Sequence, residues 1–312
     1  MTTKLVLDCD PGYDDAIALM LAYAHPELEL LAVTTVGGNQ SLDKVTANAL
    51  SIAQALGKTH IPIARGADRP LVEPLRDASF IHGATGLDGV ALPAPDFALL
   101  DSRHAVNLII DTVMQEPAGT VTLVPTGPLT NIALAVRLEP RIVERVKEVV
   151  LMGGAYAMGN ASPVAEFNVF TDPEAAHIVF DAGWKVTMVG LDLTHQARAY
   201  EPIRRRFDDL DTAAGRMTRE ILTNFADTYR RLRRMDGPPV HDACAVALVA
   251  DPSLIACEQV PVTVELHGSA TRGMTLADRR PDRGAGAKTF IATQLAVDRF
   301  WDLTYDCIRR LA

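Results

Sequence analysis

The chain has 312 residues, 48% of them hydrophobic, and carries a formal net charge of −9. That is enough apolar material for a large core, and the acidic balance argues against nucleic acid or an anionic membrane as partner, since both reward basic surfaces. No stretch reaches the roughly 18 consecutive apolar residues of a membrane span, and the N-terminus MTTKLVLDCD lacks a signal-peptide pattern because its apolar run ends in aspartates. Four cysteines, Cys9, Cys244, Cys257 and Cys307, are scattered without CxxC or Cys/His spacing. They read as reduced, buried small hydrophobes of a cytoplasmic protein.

In chain order, β-branched apolar runs alternate with helical patterns. Strands are expected at KLVLDCD (4–10), LELLAVTTV (28–36), GTVTLVPTG (119–127), VKEVVLMGG (146–154), WKVTMVGLDLT (184–194) and VPVTVELHG (260–268). Helices are expected at 14–26, 43–57, 103–116, 129–140 and 172–183. Continuous hydrophobic strands separated by helices imply an α/β fold, a single domain over 1–312 with a mostly parallel central sheet flanked by helices. The stretch 201–240 reads as a helical insert whose arginines (Arg230, Arg231, Arg233, Arg234) form a solvated face.

Polar and glycine residues gather where these strands end: Asp8–Asp10, Thr34–Asn39, Pro125–Gly127, Met152–Gly154 and Asp192–Thr194. In an open α/β sheet the ligand crevice lies beyond the carboxyl ends of the strands, so these segments converge on one expected active site. Glycines there permit close approach of backbone to ligand.

The segment LDCDPGYDD (7–15) holds four aspartates around a Pro-Gly turn. A helix cap accounts for Asp14 or Asp15 and leaves Asp8 and Asp10 without a role. Crowded carboxylates repel, and the segment itself holds no lysine or arginine. Oxygen-only ligands suit a hard cation, calcium or magnesium, although the spacing is not that of an EF-hand loop. An N-terminal DxD also fits haloacid-dehalogenase-like phosphatases, but Gly12 stands where that pattern wants Thr or Val.

The whole chain resembles the inosine–uridine preferring nucleoside hydrolase family. The likeness runs through DCDPGYDDAIA (8–18), LLAVTTVGGNQ (30–40), IHGATG (81–86), LVPTGPLTNIA (123–133) and VVLMGGAY (149–156). It continues through GNASPVAEFNVFTDPEAA (159–176), VGLDLTH (189–195) and VHDACAVA (240–247), in the family's order. The resemblance implies hydrolysis of the N-glycosidic bond of ribonucleosides with a bound calcium ion (Ca2+). It makes Asp10, Asp15, Asp242 and the Thr126 carbonyl the calcium ligands, with Asp10 also the base that deprotonates water. It gives the ribose hydroxyls to Asp14, Asn160, Glu166 and Asn168, with Asn39 beside the 2′ position. It makes His241 the donor to the leaving base, helped by Tyr229, and sets His82 near the base. Asp8 and Met152 are expected to pack behind these residues. A homotetramer or dimer and a place in purine salvage or nucleoside catabolism are further implications.

The chemistry suits those residue types. Cleaving a ribosyl C–N bond passes through an oxocarbenium-like centre, so the site must stabilise positive charge on the sugar, supply hydroxide and neutralise the departing base. Histidine is the natural donor near neutrality. Taken alone, GNASPVAEFN reads as an ordinary polar loop, His82 fits a loop histidine as well as a base-pocket residue, and Tyr229 could be core packing, with function slightly favoured. His177 and His195 are expected to be structural. A pyrimidine-specific hydrolase, and a nucleoside-binding protein that lost the chemistry, are the competing readings.

Overall fold

The computed structural model describes residues 2–311. Ten strands form: β1 (Thr3–Cys9), β2 (Leu28–Thr35), β3 (Ile63–Arg65), β4 (Val121–Pro125), β5 (Val146–Met152), β6 (Val186–Val189), β7 (Ile255–Gln259), β8 (Val262–Val264), β9 (Thr275–Ala277) and β10 (Thr289–Leu295). Eight of them make one sheet in the order β3-β2-β1-β4-β5-β6-β10-β7, parallel throughout except for the β10–β7 pair at one edge. The chain moves outward from β1 to β2 and β3, then returns to the other side of β1 as β4. The order reverses between β1 and β4, which is where an open α/β sheet leaves its ligand crevice.

The expected helices form at Tyr13–Ala24, Leu42–Ala55, Ala105–Gln115, Thr130–Leu138 and Pro173–Asp181. The helix Tyr13–Ala24 is buried at every position from Tyr13 to Ala22, and His241–Ala250 from His241 to Val249. The two pack against each other over the sheet. Both first turns lie at the carboxyl edge of the strands, where the helix N-termini favour negative charge. Within 201–240 the chain forms the helices Glu201–Arg205 and Ala213–Arg233, and Arg230, Arg231, Arg233 and Arg234 are exposed as expected.

Five expectations need correction. VPVTVELHG supplies only the short strand β8, which pairs with β9 in a separate two-stranded sheet. In WKVTMVGLDLT the strand stops at Val189, because Gly190 packs against the Gly154 carbonyl and Leu191–Thr194 then turns helical. Strands β3, β7, β9 and β10 were not expected, being short or weakly patterned. The missed helix Val297–Arg310 buries Phe300, Trp301, Thr304, Cys307 and Ile308, a helical stripe that the sequence does carry. Among the cysteines, Cys257 is exposed, since it lies on the edge strand β7, whereas Cys9, Cys244 and Cys307 are buried.

Candidate active site

Asp8 and Asp10 stand on alternate residues at the end of β1 and are fully buried. Asp8 Oδ1 accepts from Thr34 Oγ1 at 2.6 Å and Asn131 Nδ2 at 2.8 Å, which fixes it beneath the crevice. Asp10 Oδ2 accepts from the Asn39 backbone N–H at 2.6 Å, while its buried Oδ1 has no protein partner. A Cβ on Gly127 would come within 2.7 Å of that Oδ1, and one on Gly38 would strike Oδ2. Glycine at those two positions is therefore what gives the carboxylate room.

Asp15 is held from several sides: by the Asp10 and Gly12 N–H groups at 3.3 and 3.1 Å, Thr126 Oγ1 at 3.0 Å and Asn39 Nδ2 at 3.0 Å. Asp14 Oδ2 accepts from the His241 backbone N–H at 3.3 Å, which ties the two helix N-termini together. Carboxylate oxygens of Asp14, Asp15 and Asp242 lie within 4.8 Å of one another. Burial pushes the carboxyls of Asp10, Asp15 and Asp242 up, to well above the ordinary range for Asp10 and Asp242, and neighbouring aspartates add to the rise at those two. Asp14 is pushed up to about 7, by burial first and then by Asp15. Four buried aspartates cannot all ionise without a counter-charge. The orphaned Asp10 Oδ1, the all-oxygen donor set and the glycine-lined space fit a hard cation.

A cleft opens above this cluster. One wall comes from the loop after β5. Glu166 caps the helix Phe167–Thr171 and accepts from the Asn168, Gly154 and Val169 N–H groups at 2.9, 2.9 and 3.2 Å. Burial pushes its carboxyl up to about 7 against those bonds. Asn168 Nδ2 donates to the carbonyls of Thr126 at 2.7 Å and Met152 at 3.1 Å, which commits both amide hydrogens and leaves Oδ1 as a free acceptor. Asn160 is oriented the opposite way: its Oδ1 accepts from the Phe167 N–H at 2.9 Å, so its amide hydrogens remain available. Asn39 spends its amide on the Asp10 carbonyl and on Asp15 Oδ2, again leaving Oδ1. Acceptors and a donor thus line one cleft, as vicinal hydroxyls require.

The opposite wall is aromatic. Tyr229 and Phe225 project from the helix Ala213–Arg233 and meet edge to face, with centroids 4.8 Å apart. Tyr229 Oη lies 3.3 Å from His241 Nε2. Burial, and then the neighbouring His195 and His82, lower His241 well below the usual histidine range. His82 lies against Tyr13 and Phe225, its Nδ1 accepting from the Tyr13 N–H at 3.2 Å, so its hydrogen sits on Nε2. Burial lowers it to about 3, which makes it a neutral donor.

Asp14, Asn39, His82, Thr126, Asn160, Glu166, Asn168, Tyr229, His241 and Asp242 all line this one cleft, with Asp10 and Asp15 buried at its base. Asp14, expected on the sugar, also belongs by position to the acidic cluster. Met152 lines the cleft rather than lying behind it. Sequence reasoning missed Phe225, named Thr194 only as part of a converging strand end, and read as solvated the Arg233 that borders the cleft. Phe225, Tyr229 and Arg233 recur every four residues, a helical spacing that marks one face. His195 is half-buried with its ring 5.7 Å from that of His241, and His177 lies outside the cleft.

Fold and cleft together define an α/β enzyme that pairs a buried acidic cluster with a wall of carboxylate and amide groups and a histidine–tyrosine wall. The family profile described as inosine-uridine preferring nucleoside hydrolase matches residues 5–302. An inosine-uridine preferring nucleoside hydrolase of Crithidia fasciculata is 55% identical over 311 residues, covering 100% of this chain and 99% of that protein. A pyrimidine-specific ribonucleoside hydrolase of Shigella sonnei is 41% identical, covering 98% of this chain and 97% of that protein. The solved structure of a purine-preferring ribonucleoside hydrolase from Gardnerella vaginalis superposes with a TM-score of 0.92 at 32% identity, covering 99% and 98% of the two chains. The chain belongs to the inosine-uridine preferring nucleoside hydrolase family. That membership sets the phosphatase alternative aside.

Proposed function

We propose that this enzyme hydrolyses the N-glycosidic bond of purine and pyrimidine ribonucleosides, inosine and uridine among them, to ribose and free base. The observation that carries this reading is one cleft in which the acidic cluster, the hydroxyl-pairing set and the His241–Tyr229 pair face the same space. Asp10, Asp15, Asp242 and the Thr126 carbonyl hold a calcium ion, and the cleft's orphaned Asp10 oxygen supports that assignment. Bound there, calcium polarises a water and lowers its pKa. Asp10 takes the proton of the attacking water. Asp14, Asn160, Glu166 and Asn168 bind the ribose hydroxyls, with Asn39 beside the 2′ position, and the ionised carboxylates of Asp14 and Glu166 favour an oxocarbenium-like sugar. His241 and Tyr229 direct a proton to the departing base, and His82 offers an N–H to the base plane.

The chain works as one unit over its 312 residues, with 201–240 forming the base-side wall, a role supported by Phe225 and Tyr229 in the cleft. We place it in the cytoplasm as a homotetramer or dimer engaged in purine salvage or nucleoside catabolism. All four cysteines are free, and no described helix is long and apolar enough to cross a membrane. Incubation with inosine, uridine, cytidine, adenosine and guanosine, with free ribose as readout, tests the function. Ribose from inosine and uridine supports it; ribose from pyrimidine ribosides alone favours the pyrimidine-specific reading. Binding without ribose release from any of them overturns it.

A further inference from the structure

Thr194 lies behind His241, at the end of the short helix Leu191–Thr194 that follows β6. It is fully buried, and its Oγ1 lies 2.7 Å from His241 Nδ1. Its position is set by the sheet rather than by the helix that carries His241. A Cβ on Gly190 would come within 2.7 Å of the Gly154 carbonyl, and the Leu191 N–H donates to that carbonyl at 3.0 Å. The hydroxyl is thus built onto the β5 and β6 ends and aimed at the ring from behind.

Among the described residues Nδ1 is the only hydrogen-bond partner of that hydroxyl. A buried O–H needs an acceptor. If Nδ1 carried the ring hydrogen and donated it to Oγ1, the hydroxyl hydrogen would have nowhere to go. If the hydroxyl donates to Nδ1, both groups are satisfied and the ring hydrogen sits on Nε2. That nitrogen faces Tyr229 Oη at 3.3 Å on the cleft side. The phenol oxygen then accepts from Nε2, which leaves the phenol O–H free to point at a bound base.

We infer that Thr194 is a positioning residue: by donating to Nδ1 it keeps the hydrogen of His241 on Nε2, the nitrogen that faces the leaving base. This rests on the assignment of His241 to the leaving base and adds the group that fixes its tautomer. Valine at 194 keeps the shape and removes the donor; serine keeps the donor.

The test compares Thr194→Val, Thr194→Ser and His241→Ala in the metal-loaded enzyme on two substrates, inosine and 4-nitrophenyl riboside, whose leaving group needs no protonation. It also records 15N spectra of histidine-labelled enzyme, with His241 assigned by its loss in His241→Ala. Thr194→Val is expected to lower kcat on inosine by about 10–10³-fold, short of the roughly 10⁴-fold that a wrong histidine tautomer costs in a serine protease, with a much smaller loss on the nitrophenyl substrate. Thr194→Ser is expected to recover most of the inosine rate, and the His241 spectrum to be Nε2-protonated in the wild type and altered in the valine variant. Equal losses on both substrates, an unchanged inosine rate, or an Nδ1-protonated wild-type ring would each overturn the inference. Should His241→Ala itself lose equally on both substrates, the assignment of His241 fails first, and the 15N tautomer alone then decides whether Thr194 sets the ring.

Discussion

Asn168 donates through Nδ2 to the carbonyl oxygen of Thr126 at 2.7 Å, and that bond joins the proposed hydroxyl-binding wall to the proposed calcium site. One side chain therefore serves both halves of the cleft. Replacing Asn168 with alanine strands the Thr126 and Met152 carbonyls and removes the free Oδ1. Loss of a group behind a metal ligand typically weakens metal affinity about 10–100-fold, so Asn168→Ala is expected to bind calcium within that range more weakly. Calcium titration by calorimetry checks this independently of turnover. Unchanged affinity would separate the two halves.

Chelation followed by long dialysis is expected to abolish ribose release, and calcium to restore it. Asp10→Ala is expected to lose both activity and the metal. Full activity in a verified metal-free preparation would sink the calcium assignment.

The same cluster predicts how metal-free enzyme responds to pH. Burial pushes Asp8 and Asp14 up to about 7, whereas unfolded aspartates ionise near 3.8. Between those values the folded state holds more protons than the unfolded one, so stability falls as pH rises. The chelated enzyme is therefore expected to melt at lower temperature at pH 7.5 than at pH 5.5, both being assay settings of about those values. Calcium supplies the missing counter-charge, so its stabilising effect is expected to grow across the same interval. Thermal melts with and without calcium decide it, and a chelated enzyme that gains stability with pH would contradict the buried cluster.

With Asn168 Oδ1, Asn160 Nδ2 and Glu166 oriented for hydroxyls, 2′-deoxyinosine leaves buried polar groups unmatched. A site built to pair a hydroxyl rejects its absence by about 10⁴–10⁵-fold in kcat/KM at the upper end. Parallel rates on inosine and 2′-deoxyinosine measure the ratio. Comparable values would mean that the sugar lies elsewhere.

A Cβ on Gly12 would strike the His82 ring, with Cε1 only 2.8 Å away. Gly12 has φ −107°, so the obstacle is steric and not conformational. Gly12→Ala is expected to cost about 1–3 kcal/mol of stability by overpacking and to raise KM for inosine by displacing His82. Denaturant unfolding and steady-state kinetics check the two effects.

The sequence by itself determined the alternation of strands and helices, the convergence of polar residues at strand ends and the acidic turn at 7–15. These are local signals: β-branched runs, helical periodicity and a Pro-Gly turn each act over a few residues. The motif segments also brought the proposed metal-binding and hydroxyl-binding residues to notice before any geometry was known, whereas Tyr229 lies outside every segment and Phe225 was not anticipated. Other features depended on contacts that no local pattern encodes. The strand β10 inserts between β6 and β7, and Val297–Arg310 covers the core only because the chain returns there. The orientations of Asn160 and Asn168 are set by which backbone groups lie opposite them, Phe167 in one case and Thr126 with Met152 in the other. Thr194 meets His241 across 47 residues of chain, and Asp14 meets the His241 amide across 227. Hydrogen-bond direction and shared burial are properties of neighbours in space, so only the folded chain could decide which carboxylates crowd together and which nitrogen of His241 faces the cleft.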